Sequence, residues 1–275
     1  MLSSNSIASV SSQLQMNQTP APKSNRTATL PFFHGTSSRA AVKILNEGAR
    51  NIFDHLQVWD VASKVWSAIL THVESQWEAA TLFDQAGSPY AAEAPIALAN
   101  AASRNQQSLM TYGSFYVTLN FRNACDYALR SQTGSELVLM LSEGFRVLEH
   151  LGDPVAGQIR EEYPQVSEVM RLPGHPVVME LKGIEESRIT REDGNPESWP
   201  HIELFCKLAD RPGVVIPGAF RIAGVNPGDI TAIYDLKDWV ASDFSDIFYR
   251  PDAAAIERAK HSPSDWLHRS NRQAT

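Results

Sequence analysis

The stretch "TLPFFHGTSS", residues 29–38, predicts how the fold begins. The run "LPFF" has the aromatic content of a short β-strand, and His34 follows at its end. The next segment, "SSRAAVKILNEGA", has apolar residues three and four apart, which predicts a helix. Ser37 or Ser38 can cap that helix at its N-terminus, and Gly48 lies where a left-handed residue commonly ends a helix. The histidine therefore lies at a predicted strand–helix junction.

The next region is predicted to be helical. Residues 52–86 carry apolar side chains at spacings of three and four, as one face of a helix requires. Gly87 and Pro89 end this pattern, and the Ala-rich residues 90–108 are also expected to be helical. Because strand signals are almost absent from this block, we predict that residues 52–110 form a helical insertion.

Strand signals dominate from residue 112 onward. Aromatic, β-branched and other apolar residues predict strands at "GSFYVTL", "ELVLML", "PVVMELKGI", "GVVIP" and "ITAIYDL", and "FRNACDYALRS" predicts a short helix. The turn "NPGD" is expected to join "AFRIAGV" to "ITAIYDL" as a hairpin, and residues 186–200 are expected to form a long polar loop. Strands and helices do not alternate regularly. The sequence therefore predicts an α+β fold with a predominantly antiparallel core.

Charge and cysteine content argue against several classes of function. The 275 residues carry a net charge of −7, which disfavours a general affinity for nucleic acid or anionic membranes. Cys125 and Cys206 lie far from each other and from any His/Cys ligand spacing, so we expect two reduced, buried thiols. No stretch reaches the roughly 18 apolar residues of a membrane span. We expect a monomer without a metal site.

The first 28 residues are rich in Ser, Asn, Gln, Thr and Pro. They lack the basic start and solid apolar core of a Sec-type signal peptide, and their composition predicts a disordered leader. They are also similar to the N-termini of bacterial type III secreted effectors. That similarity implies a protein secreted by a bacterium into the cytoplasm of a host cell.

Two motifs together resemble the ADP-ribosyltransferase superfamily, in particular its poly(ADP-ribose)-polymerase-like and diphtheria-toxin-like branch. The first is "HGTS" at the end of the first strand. The second is "YGSFYVTLNFRNACDYAL", in which Tyr116 and Tyr127 are separated by the interval found in the family. The resemblance covers roughly residues 30–50 and 111–236. It implies a split, mainly antiparallel β-core with flanking helices.

The same resemblance implies the division of the chain into domains. The catalytic domain would consist of residues 29–51 and 111–250, with the helical insertion between its two parts. Residues 251–275 would form a C-terminal helix and tail. Nothing in NAD cleavage requires the insertion, so it is a candidate module for recognising an acceptor.

The family cleaves nicotinamide from NAD and transfers ADP-ribose to an acceptor. Breaking this bond builds positive charge on the ribose, so the site must hold the ribose hydroxyls and the nicotinamide ring. An imidazole can pair with a hydroxyl, a glycine backbone can pair with the carboxamide, and two tyrosines can stack on the charged ring. The implied NAD-binding residues are His34, Gly35, Thr36, Ser37, Gly113, Tyr116 and Tyr127.

Two positions depart from the family pattern. Ala124 stands where the polymerase-like enzymes have serine, eight residues after the first tyrosine. The stretch "RPGVVIPGAFRI" corresponds to the strand that starts with the catalytic glutamate, and it places Gly213 at that position. Another acid must then stabilise the ribose cation. We expect Glu203, in a strand at "HIELF", to be the first candidate and Asp210 the second; Glu180 and Asp193 are reserve candidates.

The resemblance implies a mono-ADP-ribosyltransferase that modifies a host protein. A distant similarity to bacterial effectors that ADP-ribosylate ubiquitin on threonine makes ubiquitin a candidate acceptor. One alternative is an NAD glycohydrolase, in which water replaces the acceptor, and another is a degenerate fold that only binds. An RNA 2′-phosphotransferase has the same fold, but the acidic charge and the lack of basic clusters argue against it.

Overall fold

The computed structural model describes residues 27, 30–49, 57–103, 115–130, 134–171, 174–191, 202–204, 219–239 and 252–273. These residues form an α+β fold with two antiparallel sheets, as the sequence predicts.

The first sheet is built around a fully buried central strand, β3 (Pro176–Leu181). Strand β1 (Phe32–Ser37) pairs with it along its whole length, from Phe32 opposite Leu181 to Ser37 opposite Pro176. On the other side β3 pairs with β6 (Ile230–Asp235), which in turn pairs with the short β7 (Lys260–His261). All these pairs are antiparallel. The predicted strands at "PFFHGTS", "PVVMELKGI" and "ITAIYDL" are confirmed.

The second sheet has three short strands in the order β2 (Phe115–Val117), β5 (Phe220–Ile222) and β4 (Ile189–Arg191). It meets the first sheet where Phe33 and Thr118 exchange two backbone hydrogen bonds of 2.7 and 2.8 Å. Within the described residues this pair is an isolated bridge between β1 and β2. The two strands therefore touch at one point and then separate.

Two helices flank the first sheet. Helix α1 (Ser38–Glu47) is capped by the Ser37 hydroxyl, which accepts from the Ala40 N–H, and it ends at Gly48 with φ of 77°. Both features agree with the sequence prediction. Helix α5 (Phe121–Arg130) packs over β1 and β3, with Phe121 against Phe33. Its predicted helical character is confirmed.

Six further helices form one cluster with a shared apolar core, called the helical cluster below. The cluster combines helices from the predicted insertion with helices that follow α5. The long period over residues 52–86 is interrupted between Leu70 and Ser75, and Ser75 caps the next helix. The helices are α2 (Val58–Ile69), α3 (Gln76–Gln85), α4 (Glu93–Ala102), α6 (Glu136–His150), α7 (Val155–Glu162) and α8 (Pro164–Arg171). No helix in the described part of the chain is long and apolar enough to cross a membrane.

The predicted strand at "ELVLML" is wrong, because these residues begin helix α6. Ser135 caps this helix, and the buried positions continue at helical spacing to Leu148. Gly144 lies within the helix. A β-carbon there would come within 2.6 Å of Val65 and 2.9 Å of Leu98. The glycine therefore allows close packing between helices.

The predicted hairpin at "NPGD" is also wrong, because β5 and β6 belong to different sheets. Pro227–Asp229 form a 3₁₀ turn closed by the Asn226 N–H donating to the Asp229 carboxylate at 2.8 Å. Arg188 binds the same carboxylate at 2.6 Å. The turn is therefore a link between sheets rather than the end of a two-stranded ribbon.

The end of the chain contains two short helices instead of the single helix predicted. They are α9 (Ala253–Ala259) and α10 (Pro263–Gln273), and β7 lies between them. Trp266 of α10 is 2% exposed and belongs to the core below the first sheet. Burial of this large ring attaches the C-terminal segment to the sheet.

Two predicted segments lie partly or wholly outside the described residues. The polar loop at 186–200 begins with a 3₁₀ turn at Glu186–Arg188 and strand β4, and its remainder is not described. The predicted strand "GVVIP" is likewise outside the described part of the chain.

Candidate functional site

His34 lies on β1 just beyond the point where the two sheets meet. Its Nδ1 atom is 2.7 Å from the carbonyl oxygen of Tyr116 on β2. Because a carbonyl oxygen can only accept, Nδ1 carries the proton of the neutral ring and Nε2 is an acceptor. The ring stacks on Phe115 with a centroid distance of 4.0 Å and an interplanar angle of 29°. Burial lowers the pKa of His34 to about 4, despite the opposing hydrogen bond with Tyr116.

Gly35 marks the closest approach of helix α5 to the first sheet. A β-carbon at this position would lie 2.1 Å from the Ala124 carbonyl oxygen and 2.9 Å from the Ala128 nitrogen. The space that a side chain would fill is occupied by the backbone of α5, so helix packing alone requires the glycine here.

The backbone of Gly35 nevertheless points toward β2 rather than β3. Phe33 directs its N–H and C=O toward Thr118. Backbone groups two residues apart on a strand point to the same side, so those of Gly35 and Tyr116 also lie along the edges at which β1 and β2 approach each other. The Tyr116 carbonyl is bound there by the His34 ring.

The two tyrosines lie on the same side of the first sheet. Phe115 and Val117 point into the core below the sheet, so Tyr116 between them points to the opposite face, which α5 covers. Tyr127 belongs to α5 and is 40% exposed. It lies between Ala124 and Ala128, the two residues against Gly35. Ala124 itself is buried and offers no hydroxyl.

Thr36 and Ser37 are both fully buried. The Thr36 hydroxyl donates to the Gly134 carbonyl at 3.4 Å, and the Ser37 hydroxyl accepts from the Ala40 N–H. The resemblance implied that both residues bind NAD. In the structure both are directed into the protein and stabilise the strand–helix junction.

The reserve candidate Glu180 lies on the opposite face of the sheet from His34. Paired residues of antiparallel strands point to the same face, and Glu180 pairs with Phe33 while His34 pairs with Met179. The Glu180 carboxylate accepts from Tyr234 at 2.5 Å and from Lys182 at 2.6 Å. Burial would raise the pKa of Glu180, but the bonds from Lys182 and Tyr234 keep it below its usual value. Glu180 is therefore a partnered structural acid.

The first candidate acid, Glu203, is exposed on a helical segment of residues 202–204, so the predicted strand at "HIELF" is wrong at these residues. Ile202 beside it is buried in the core below the first sheet, which anchors the segment. Leu204 on its other side is half exposed. Four further predicted positions lie outside the described residues: Gly113, Asp193, Asp210 and Gly213.

The sequence interpretation missed Phe115 as a part of the site. The alternation in "FYV" places Phe115 on the opposite face from Tyr116, and the same alternation in "FFHG" separates His34 from Phe33. These patterns indicate the faces but not which strands are neighbours. The contact between His34 and Phe115 could therefore not be predicted from the sequence and is seen only in the structure.

Metal ligands and reactive thiols do not contribute to the described site. No cluster of His, Cys, Asp and Glu that could hold a metal ion occurs within the described ranges. Cys125 is a buried free thiol on α5, and burial raises its pKa well above the usual value. It is therefore inert at neutral pH.

Comparisons with protein-family models, with curated proteins and with solved structures find no significant match to this chain.

Proposed function

We propose that the protein is an NAD-dependent mono-ADP-ribosyltransferase that modifies a protein of a host cell. The observation that carries the proposal is the position of His34 where two antiparallel sheets diverge, with Nδ1 bound to the Tyr116 carbonyl. Tyr116 and Tyr127, on the face that α5 covers, could stack on a flat aromatic ring, while the His34 side chain lies on the other face of β1. The motif resemblance supports the same conclusion.

The proposed reaction breaks the bond between nicotinamide and C1′ of its ribose. The electron pair leaves with nicotinamide, and a nucleophilic oxygen or nitrogen of the acceptor bonds to C1′ and loses its proton. Positive charge develops on the ribose, so a nearby carboxylate would stabilise the transition state. Glu203 is the proposed acid because it is exposed next to the anchored Ile202, and Asp210 remains the second candidate.

The test is a reaction with NAD labelled in its adenylate phosphate, with ubiquitin and a host-cell lysate as separate acceptors. Intact-mass spectrometry should find an added ADP-ribose group on an acceptor, together with released nicotinamide. Glu203→Gln should lower the rate at least about 100-fold, as loss of a charge-stabilising or proton-accepting group does. Glu161→Gln, an exposed position on α7, is the matched control and should leave the rate unchanged.

The product pattern separates the proposed function from its alternatives. Nicotinamide release without any labelled protein would support an NAD glycohydrolase. NAD bound but never cleaved would support a binding module, an alternative motivated by Gly213 at the position of the family's glutamate. Neither binding nor cleavage of NAD by the folded protein would contradict all three. The polar leader supports the further proposal that a bacterium secretes the protein into the host cytoplasm.

A further inference from the structure

Trp77 is the most exposed large apolar side chain in the described part of the chain, with 83% of its surface accessible. It lies in the first turn of α3, whose buried residues Ala79 and Phe83 face the core of the helical cluster. At about 100° per residue, Trp77 points to the side of the helix away from these two residues. Packing of the cluster therefore does not account for an indole at this position.

The helical cluster carries the negative charge of the chain. Residues 57–103 and 134–171 contain 12 Asp and Glu and four Lys and Arg, which gives a net charge of −8. Because the whole chain carries −7, all other residues together carry +1. The cluster is therefore the part of the protein that attracts a basic partner.

Exposed acids lie around Trp77 on α3. Glu78 follows it directly, and Oε2 of Glu78 accepts from the Glu74 N–H at 2.8 Å, so both acids lie at the N-terminal end of the helix. Asp84 lies two turns further along on the same side as Trp77. None of the three acids pairs with a Lys or Arg that the structure describes. This face of α3 thus combines an exposed aromatic ring with unpaired negative charge.

The cluster already binds basic side chains with the same two chemical groups. In two places a cation lies 5.0 or 5.2 Å from the centre of an aromatic ring and also pairs with a carboxylate. The two sets are Lys64 with Tyr163 and Glu162, and Arg160 with Phe145 and Glu149. Trp77 and Glu78 offer a ring and a carboxylate side by side, and no Lys or Arg within the described ranges pairs with them. Among aromatic rings the indole binds cations best.

We infer that the face of α3 around Trp77 is the docking surface for a basic segment of the acceptor protein, with a basic side chain of that segment on the indole and against Glu78. Charge decides the kind of partner. Nucleic acid and anionic membranes have the same sign of charge as the cluster, and a second copy would bring the same acids together. The inference rests on the proposed transferase function and assigns contact with the acceptor to residues outside the NAD site.

NMR of the full-length protein tests the surface without NAD. The probe is the peptide acetyl-Gly-Arg-Gly-Arg-Gly-amide, and its control peptide has citrulline, a neutral analogue of arginine, at both basic positions. Trp77→Phe assigns the indole N–H signal of Trp77. We expect the arginine peptide to shift this signal and to bind at least about fivefold more tightly than the citrulline peptide, because both the ring and the carboxylates attract its charge. Added salt should weaken the binding.

Variants with exposed substitutions locate the peptide, and the amide signals of α3 report its affinity. Trp77→Ala should bind the arginine peptide at least about fivefold more weakly, and Glu74→Lys at least about threefold more weakly. Glu161→Lys, at an exposed acid of α7, is the matched control and should bind like the wild type. With the acceptor protein that the wild type labels, Trp77→Ala should raise KM and leave kcat unchanged, because docking precedes the chemical step.

The outcomes separate this inference from the proposed function. Equal binding of the two peptides, equal binding by the wild type and Trp77→Ala, or an unchanged KM in Trp77→Ala would overturn the inference and leave NAD cleavage unaffected. A Trp77 signal that shifts with protein concentration alone would indicate a second copy on this face and would overturn it as well. Arginine peptide bound at Trp77 by a protein that never cleaves NAD would contradict the proposed function and, with it, the acceptor as the occupant.

Discussion

The helical cluster and the two-sheet region each contain a histidine, and the two histidines differ in what they leave free. In the helical cluster, Nε2 of His72 bonds to Asp153 at 2.8 Å, and Asp153 also accepts from the Val155 N–H. In the two-sheet region, His34 bonds through Nδ1, and Nε2 has no partner in the described part of the chain. His72 thus connects two turns of the helical cluster. His34 leaves Nε2 available as an acceptor for the ligand that we propose.

The difference shows how a structural polar group can be separated from a candidate binding group. Burial alone does not separate them, because Glu180 is 4% exposed and still has a protein partner for each carboxylate oxygen. The pairing of His72 and Glu180 within the fold marks these two groups as structural, since buried polar groups are normally satisfied there. The following experiments apply matched changes to the two regions.

The largest difference is expected for alanine at two glycines. Gly35→Ala places a β-carbon against the backbone of α5 and should lower the free energy of unfolding by about 3 kcal/mol. Gly157→Ala, on α7, meets no atom within 4 Å and should raise it by up to about 1 kcal/mol. Chemical denaturation measures both. Equal stability of the two variants would contradict the close packing of α5 on β1.

A second comparison neutralises one buried acid in each region. Glu180→Gln weakens bonds from Lys182 and Tyr234 and should cost about 2–3 kcal/mol of unfolding free energy. In the helical cluster, Glu143 has Arg146 at 3.3 Å, but its Oε2 has no hydrogen-bond partner among the described residues. Glu143→Gln should therefore cost less than about 1 kcal/mol. A larger loss at Glu143 than at Glu180 would contradict this ranking.

The third comparison removes one exposed aromatic ring from each region. If Tyr127 stacks on the nicotinamide ring, Tyr127→Ala should weaken NAD binding by roughly 1–2 kcal/mol. Trp77→Ala removes a ring that is 83% exposed on α3 and should leave NAD affinity unchanged. Isothermal calorimetry measures both affinities. An unaltered affinity in Tyr127→Ala would exclude that ring from the site.

The smallest effects on stability are expected from acidification, and the two regions should lose stability in different pH ranges. Burial lowers the pKa of His34 to about 4 from 6.5, so its contribution to stability is complete above pH 6.5 and is lost as pH falls toward 4. The His72 hydrogen bond and the Val155 N–H lower the pKa of Asp153, so that contribution is lost only below pH 3.8. An NMR titration should therefore show that the His34 ring takes up its second proton near pH 4. A His34 pKa at or above 6.5 would contradict its buried neutral state.

Local signals were sufficient for the strand–helix junction at β1 and for α5, β3 and β6. Ser37 as cap and Gly48 as terminator act within a few residues of the chain. The predictions that failed concern segments whose structure depends on contacts with distant parts of the chain. "ELVLML" became a helix because apolar positions continue beyond Gly144, which packs against Val65 and Leu98, and five apolar residues alone fit either a strand or a helix.

The candidate site was predictable in part for the same reason. Motif spacing pointed to His34 and the two tyrosines, but the structure places the His34 side chain and the tyrosines on opposite faces of the sheet. The roles of Gly35 and Thr36 depended on α5 and on Gly134, which lie about 90–100 residues further along the chain. Phe115 was missed because pairing between sheets is not encoded in strand alternation. The spacing of the motifs therefore identified the candidate residues, whereas the contacts around them depended on packing between distant parts of the chain.

The central claim is the proposal that the protein binds NAD through His34, where β1 and β2 meet. The direct measurement is calorimetric titration of NAD into the wild type, His34→Ala and His72→Ala, with folding checked by circular dichroism. We predict that the wild type and His72→Ala bind NAD equally, while His34→Ala binds at least about tenfold more weakly, as loss of one hydrogen bond in a desolvated site would cause. Equal affinity of His34→Ala and the wild type, or no NAD binding by the folded wild type, would contradict the claim.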